Sequence, residues 1–162
     1  MKLIFAGSGS AFTLKNYQSN MIIESDNGKK LLIDCGSDIR FSLNRLGIIY
    51  ADIDSVYISH LQADHVGGLE LIGFSTKFDP QCGKPHLYIS RLLKHELWSS
   101  VLSGGMHSLQ GEVADLDTYF EVHSIPKNGY FLWENVEFRL VQTVHIMDGF
   151  SLFPSFFFLH YN

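Results

Sequence analysis

The sequence predicts an α/β fold in a single domain that spans residues 1–162. Short apolar runs typical of strands alternate along the chain with segments of helical periodicity, and no internal repeat or linker interrupts them. The chain of 162 residues matches the size of one domain, and its 46% hydrophobic content is sufficient for a real core. Together these observations favour one compact α/β unit.

The first predicted elements are a strand, a loop and a hairpin. Residues 2–6, KLIFA, have the composition of a short buried strand, and the glycine- and serine-rich loop GSGSAF follows them. The apolar runs NMIIES and KLLIDC are joined by DNGK, in which Asn-Gly is the strongest two-residue turn signal. This hairpin directs Asp34 towards a loop.

A helix and a buried strand are predicted next. Ser37 is a candidate N-cap for the helix, and Gly47 is placed to end it in a left-handed conformation. The strand SVYIS then leads to His60. Between the two caps, the apolar residues on one helical face are Ile39, Leu43 and Leu46.

The second half of the chain continues the alternation. GGLELIGFSTKF predicts a helix, KPHLYIS a strand, and RLLKHELWSSVLSGG an amphipathic helix that glycines close. YFEVHSI and GYFLWENVEFRLVQTVH predict further strands, the second of them as a hairpin around ENVE. Trp98 and Trp133 are interpreted as core or interface residues rather than platforms for base stacking.

Composition excludes several functional classes. Twelve basic and seventeen acidic residues give a net charge of −5, which argues against a broad cationic surface for a long nucleic acid. Cys35 and Cys82 form no CxxC pair, so we expect a reduced intracellular protein without a thiolate zinc site. Polar residues follow the first apolar run too early for a secretory signal, and no segment approaches the roughly 18 apolar residues of a membrane span. A cytoplasmic location is therefore expected.

The segment SHLQADHVGG, residues 59–68, carries the clearest chemical signal. His60, Asp64 and His65 follow a strand and precede two glycines, at the spacing of a loop that binds two metal ions. Imidazole nitrogens and carboxylate oxygens are both zinc ligands, and the glycines allow the backbone to pack closely. Gln62 stands where such a pattern has another histidine. We therefore predict metal ligation by this loop.

Five motifs in order resemble the metallo-β-lactamase fold, and within it the ribonuclease Z-like phosphodiesterase branch: GSGSAF, NYQSNMIIES, LLIDCGSDIR, SHLQADHVGGLE and QTVHIMDG. The resemblance covers most of residues 1 to about 150, and the ordered set is far more specific than any one motif. It implies an αββα sandwich and hydrolysis by a metal-activated water that attacks phosphorus or a carbonyl carbon.

The resemblance also implies a set of metal ligands. In that family the loop reads HxHxDH, so His60 would bind the first metal together with residue 62 and His145. Asp64 and His65 would bind the second. The implied cofactor is zinc, as one or two ions, with manganese or iron as alternatives. Gln62 departs from the pattern: its amide oxygen is a poorer zinc ligand than imidazole and favours a harder ion such as manganese.

Further roles follow from the resemblance. Asp64 would orient the attacking water and accept its proton, and Asp34 resembles the carboxylate that orients a ligand from beneath the loop. Backbone N–H groups of Ser8, Gly9 and Ser10 could hold a phosphate, a weak signal because glycine-rich turns are common. Asp34 could instead cap the region around Ser37 or close a turn.

The remaining candidate residues have simpler interpretations. Asp148 in HIMDG is interpreted as a turn residue. The other histidines are expected to be structural or at the surface, with substitution of a missing ligand by the last one as a remote alternative: His86, His95, His107, His123 and His160.

The end of the chain predicts an incomplete sandwich. The family normally continues with another strand-helix half that carries a bridging aspartate and a last histidine, which residues up to Asn162 do not supply. The end GFSLFPSFFFLHYN looks unlike that continuation. An uncovered sheet face predicts a homo-oligomer or a partner chain, with FSLFPSFFF as the exposed segment.

Three functional hypotheses remain. The preferred one is a metal-dependent hydrolase of phosphodiester bonds, in a cyclic nucleotide or at an RNA 3′ end, and the negative charge favours a small phosphodiester over tRNA. The second, motivated by Gln62 and the missing half, is a degenerate, non-catalytic scaffold or binding protein with an impaired metal site. The third is a thioester or lactam hydrolase on the same fold.

Overall fold

The computed structural model describes residues 1–143 and 149–155. In this part of the chain the strands are β1 (Lys2–Phe5), β2 (Met21–Glu24), β3 (Lys30–Ile33), β4 (Ser55–Ile58), β5 (His86–Ser90), β6 (Ser108–Leu109), β7 (Glu112–Val113), β8 (Glu121–Ile125), β9 (Tyr130–Trp133), β10 (Val136–Thr143) and β11 (Gly149–Ser155). The helices are α1 (Ile39–Leu46), α2 (Ala63–Val66), α3 (Leu69–Phe78), α4 (Arg91–Glu96), α5 (Ser103–Met106) and α6 (Leu116–Tyr119). A 3-10 turn lies at Tyr50–Asp52, and a π-helical segment, Leu97–Leu102, joins α4 to α5.

The described strands form two main sheets. The larger has the order β1-β2-β3-β4-β5-β8, the smaller has the order β11-β10-β9, and β6 pairs with β7 separately. Strands β1 to β3 are antiparallel, whereas β3, β4, β5 and β8 are parallel. Because the carboxyl ends of parallel strands meet at one edge, the residues that follow β3 and β4 lie side by side.

Aromatic side chains fill the space between the two sheets. Tyr57 and Tyr88 are paired in register on β4 and β5, and both stack on Phe131 of β9, with centroids 6.1 and 4.1 Å away. Phe131 in turn stacks on Phe138 of β10 at 5.3 Å. The buried Tyr57 hydroxyl donates to the carbonyl of Phe150 on β11 at 2.7 Å. The alternate residues of β4 and β5 are fully buried in the same core as helix side chains.

Most predicted elements are present, with local differences. The β2–β3 turn is a three-residue loop rather than a two-residue one, because Ser25 pairs with Lys29 and only Gly28 of the loop has a positive φ, +86°. A two-residue type I′ turn needs two such residues. The hairpin around ENVE does have them: Glu134 at +48° and Asn135 at +63°.

Two predictions about the first 50 residues are wrong. Strand β1 is not buried: it lies at the sheet edge with Leu3 51% and Phe5 64% exposed. Ser37 does not cap α1, since Asp38 is the N-cap residue and the Ser37 hydroxyl donates to Gln18 Oε1 at 3.2 Å. Gly47 ends the helix with φ +69°, as predicted.

The segment FSLFPSFFF is only partly exposed where the structure describes it. Residues 150–155 belong to β11 and pair with β10 throughout. Phe150 is buried, whereas Phe153 is 59% exposed. The other phenylalanines of this segment, together with His160, lie outside the described residues. Among the residues the structure covers, no helix has both the length and the apolarity needed to cross a bilayer.

Candidate metal centre

Asp34 occupies the carboxyl end of β3 in a left-handed conformation, with φ +61°. Aspartate is one of the few residues that adopt this region readily, and here the conformation turns the carboxylate towards the end of β4. Its Oδ1 accepts the backbone N–H of Ser59 at 2.8 Å, and its Oδ2 accepts the Ser59 hydroxyl at 2.7 Å. The buried carboxylate thus ties the two strand ends together.

His65, in the short helix α2, lies between two carboxylates. Its Nδ1 is 2.7 Å from Asp34 Oδ2 and its Nε2 is 3.2 Å from Asp64 Oδ2. Burial disfavours the charged imidazole, but the hydrogen bond and charge of Asp34, with those of Asp64, raise the pKa of His65 above its usual value. The place where Nε2 meets Asp64 therefore favours positive charge.

His60, directly after β4, is oriented through Ser59. Because the Ser59 hydroxyl donates to Asp34, its oxygen accepts from His60 Nδ1, 3.0 Å away. In the neutral imidazole this places the lone pair on His60 Nε2, 3.0 Å from Gln62 Oε1. Two acceptors at this distance are satisfied by a shared cation, or by an amide turned to present its NH₂ group. One carboxylate thus sets the tautomers of both imidazoles.

The arrangement fits a metal cation. The rings of His60 and His65 have centroids 3.8 Å apart, and their nitrogens face Asp64 and Gln62. With zinc bonds of about 2.0–2.1 Å in a tetrahedral site, neighbouring ligand atoms lie about 3.3 Å apart. The 3.2 Å between His65 Nε2 and Asp64 Oδ2 agrees with that spacing. His145 lies outside the described residues, and metal ligation stays a prediction for the whole set.

The glycine and serine loop is arranged differently from the prediction. The Gly9 N–H donates a hydrogen bond to the carbonyl of Tyr17 at 2.7 Å, so this amide is not available to a phosphate. Ser8 and Ser10 are exposed. The loop folds back as an isolated bridge between Gly9 and Gln18 rather than as an open nest of amides.

Two buried polar residues that the sequence analysis did not identify, Gln18 and Asn20, hold the backbone next to the candidate centre. Asn20 accepts the N–H of Gly36 at 2.8 Å and donates to the carbonyl of Gln18 at 2.9 Å. The backbone carbonyl of Asn20 also accepts the N–H groups of Ala6 and Gly7. The sequence signal that could have identified these residues is their position just before the apolar run MIIE. Asn20 is fully buried there, and a buried asparagine needs several hydrogen bonds.

Gly36 packs against the backbone of Asp64, which leads to a prediction. A Cβ at this position would overlap the Asp64 carbonyl oxygen and Gln18 Oε1. We expect Gly36→Ala to lower the free energy of unfolding by about 1–3 kcal/mol, because the Asp64 backbone must move. Urea denaturation measures the effect. Gly83→Ala is the control, since a Cβ at Gly83 meets open space; equal stability of the two variants would contradict the prediction.

Comparison with known proteins places the chain in a family. The sequence model of the family described as Anti-Pycsar protein Apyc1 matches residues 1–160. The chain belongs to this family. The match extends to residue 160 and so includes most of the phenylalanine-rich end.

Curated Apyc1 relatives are similar over nearly the whole chain. Anti-Pycsar protein Apyc1 of Bacillus phage 010DV004 is 35% identical over 164 aligned positions, which cover 94% of this chain and 63% of that protein. The Apyc1 protein of Paenibacillus harenae is 38% identical over 160 positions, which cover 98% of this chain and 63% of that protein. The chain therefore spans less than two thirds of the length of these Apyc1 relatives.

Solved structures confirm the fold. The metallo-β-lactamase fold protein YhfI from Bacillus subtilis has a TM-score of 0.71 and 16% identity over 94% of this chain and 57% of YhfI. Human tRNase Z, short form, has a TM-score of 0.63 and 17% identity over 95% of this chain and 65% of that protein. The predicted metallo-β-lactamase fold is therefore correct for this Apyc1 family member.

Proposed function

We propose that this chain carries the metal centre of a metal-dependent hydrolase that cleaves phosphodiester bonds, with a cyclic nucleotide as the favoured substrate. The observation that carries the proposal is the hydrogen-bonded network in which Asp34 orients both His60 and His65 beside Asp64. Membership of the Apyc1 family supports a phosphodiester rather than a lactam or a thioester. The net charge of −5 favours a small substrate over tRNA.

The residues would divide the work as follows. His60, Asp64 and His65 would hold the cation, with Gln62 and His145 as the further ligands that the family resemblance implies. Zinc suits two imidazoles and a carboxylate best, while the Gln62 oxygen leaves manganese or iron as alternatives. When bound, such an ion supplies a Lewis acid that polarises a phosphoryl oxygen and acidifies a water molecule.

The protein's own groups supply orientation and proton transfer. Asp34, directly and through Ser59, would keep a proton on Nδ1 of both imidazoles and so leave each Nε2 to bind a cation, beside Gln62 for His60 and beside Asp64 for His65. Asp64 has an oxygen beside His65 and a side chain that is only 13% exposed. A carboxylate so placed would orient an attacking water and accept its proton.

We further propose a cytoplasmic location, which the free thiols of Cys35 and Cys82 support.

Metal analysis combined with a hydrolysis assay tests the proposal. The purified chain is loaded with zinc or manganese, its metal content is measured by mass spectrometry, and it is assayed with an aryl phosphodiester and with cyclic and linear nucleotides. We expect bound metal, and faster cleavage of the cyclic nucleotides. Absence of bound metal and of turnover, even with zinc or manganese supplied, would remove the hydrolase proposal. Metal binding without turnover of any diester would support the alternative of a non-catalytic scaffold.

Gln62→His provides a second test. We expect zinc affinity to rise on the order of tenfold, because an imidazole nitrogen replaces an amide oxygen beside His60 Nε2. Competition with a chromophoric chelator measures the change. Gln81→His, at an exposed position, is the control for adding a surface histidine. If zinc affinity rises but no turnover appears, the scaffold alternative is favoured, and if affinity does not change, residue 62 is not a ligand.

A further inference from the structure

Three ligand-type side chains lie together away from the centre described above. His86 begins β5, and Glu121 and His123 lie on the parallel strand β8. In the register of the two strands His86 is opposite Glu121 and Tyr88 is opposite His123, so these side chains share one face of the sheet. His86 and Glu121 are at the amino-terminal ends of their strands, whereas the Asp34 network is at the carboxyl ends. The cluster is therefore a separate feature.

The ligand atoms of the cluster form a compact triangle. His86 Nδ1 is 2.9 Å from His123 Nε2. The Glu121 carboxylate spans the pair, with Oε2 3.5 Å from His86 Nδ1 and Oε1 3.6 Å from His123 Nε2. Ligand atoms of a tetrahedral zinc ion lie about 3.3 Å apart, which is within the range of these three distances. A single ion could meet all three groups after small side-chain rotations, without movement of the strands.

The supporting structure holds the two imidazoles in place. The His123 ring stacks on Tyr88, with centroids 4.7 Å apart and an angle of 18° between the planes. Tyr88 is buried and stacks in turn on Phe131 at 4.1 Å. His86 contacts the same Tyr88 ring at 6.3 Å. The aromatic layer between the sheets fixes the Tyr88 ring, and contact with Tyr88 restricts the two imidazoles. Less side-chain entropy is therefore lost when an ion orders them.

The donor set selects the kind of ion. Two imidazole nitrogens and one carboxylate suit zinc, and they suit magnesium or calcium poorly because those ions prefer oxygen ligands. The side chains of His86 and His123 are 40% and 33% exposed, so a water molecule can complete a fourth position. A hydrogen bond between the two imidazoles alone would not need Glu121, yet its two oxygens face both nitrogens.

We propose that His86, Glu121 and His123 form a second zinc site, structural in role, that joins strand β8 to strand β5. In the described sheet β8 is the edge strand, and its pairing with β5 is what fixes it to the sheet. An ion held by residues of both strands would link this edge by metal bonds in addition to the backbone ladder. The site is independent of the phosphodiesterase proposal, because its ligands lie at the opposite end of the strands.

Zinc counting on the full chain tests the site. Zinc binding is titrated by competition with a chromophoric chelator in the unmodified chain, in the double variant His86→Ala/His123→Ala, and in His95→Ala, an exposed histidine outside the cluster. We expect the double variant to bind one zinc ion fewer per chain than the other two proteins, and to lose part of the zinc-dependent rise in melting temperature. An unchanged zinc count, or one ion shared between two chains, would overturn the proposal.

A milder variant keeps the test valid if the double variant does not fold. Glu121→Gln changes an exposed carboxylate to an amide of the same shape, and circular dichroism checks its fold. We expect it to weaken zinc binding at this site about tenfold without changing the affinity of the Asp34-supported centre. Equal zinc affinity at this site in Glu121→Gln and in the unmodified chain would contradict ligation by Glu121. Diester hydrolysis is measured in parallel, so failure of either proposal is seen separately.

Discussion

Replacing Asp34 by asparagine will lower zinc affinity by about 10- to 100-fold and the free energy of unfolding by about 2–4 kcal/mol. The Asp34 carboxylate accepts hydrogen bonds from the Ser59 amide, the Ser59 hydroxyl and His65 Nδ1. An amide offers only one oxygen and presents an NH₂ group to donors, so at least one buried bond is lost. Asparagine adopts a positive φ as readily as aspartate, and backbone strain does not contribute to the effect.

In Asp34→Asn the imidazoles of His60 and His65 lose the hydrogen bonds that orient them. Without an acceptor at Oδ2, His65 can exchange its tautomer, and Ser59 is no longer required to accept from His60. Chelator competition and urea denaturation measure the two effects. Asp54→Asn is a matched control, because Asp54 also accepts a backbone amide, that of Lys30 at 2.9 Å, far from the loop. Zinc affinity that falls equally in both variants would show that Asp34 has no specific role.

Replacing Asp64 by asparagine will reduce turnover of a phosphodiester by about 10²- to 10⁴-fold, the range expected when a general base is removed. The variant would lose the proposed proton acceptor and also one proposed oxygen ligand next to His65 Nε2. The backbone should be unaffected, because the structural contact of this residue is its carbonyl group packed against Gly36. The effect should therefore appear in kcat more than in stability.

Steady-state kinetics at saturating metal separates these contributions. Metal content is measured on the same samples, so that a variant that binds metal but does not turn over is distinguished from one that is empty. Asp117→Asn, with a side chain that is 62% exposed, is the control for loss of one surface charge. If Asp64→Asn hydrolyses diesters at the rate of the unmodified chain, the proposed role of Asp64 is wrong.

The proximity of the three candidate ligands in the loop was predictable because its signal is local. His60, Asp64 and His65 lie within a segment of six residues soon after the apolar strand β4, which ends at Ile58, so their proximity depends on local chain geometry alone. Gly47 is a similar case, since the helix end depends on neighbouring residues alone. The alternation of strands and helices likewise follows from periodicities of a few residues.

The hydrogen bonds that hold the loop in place could be identified only from the folded structure. Asp34 was named from the family resemblance, yet turn closure and helix capping were nearly as compatible with its place in the sequence. Its role depends on β3 lying parallel and in register with β4, which brings a residue 25 positions away, Ser59, within hydrogen-bond distance. The cap assigned to Ser37 failed for a related reason: a distant side chain, Gln18, takes its hydroxyl.

The sequence by itself determined the α/β class, the proximity of His60, Asp64 and His65, and most element positions, because these depend on residue types over a few positions. Only the tertiary structure showed that two histidines far apart in the sequence lie together. His86 and His123 are 37 positions apart and resembled ordinary surface residues until β8 paired with β5. Strand order and register arise from packing of the whole core, here the aromatic layer of Tyr88 and Phe131, and no local pattern encodes them.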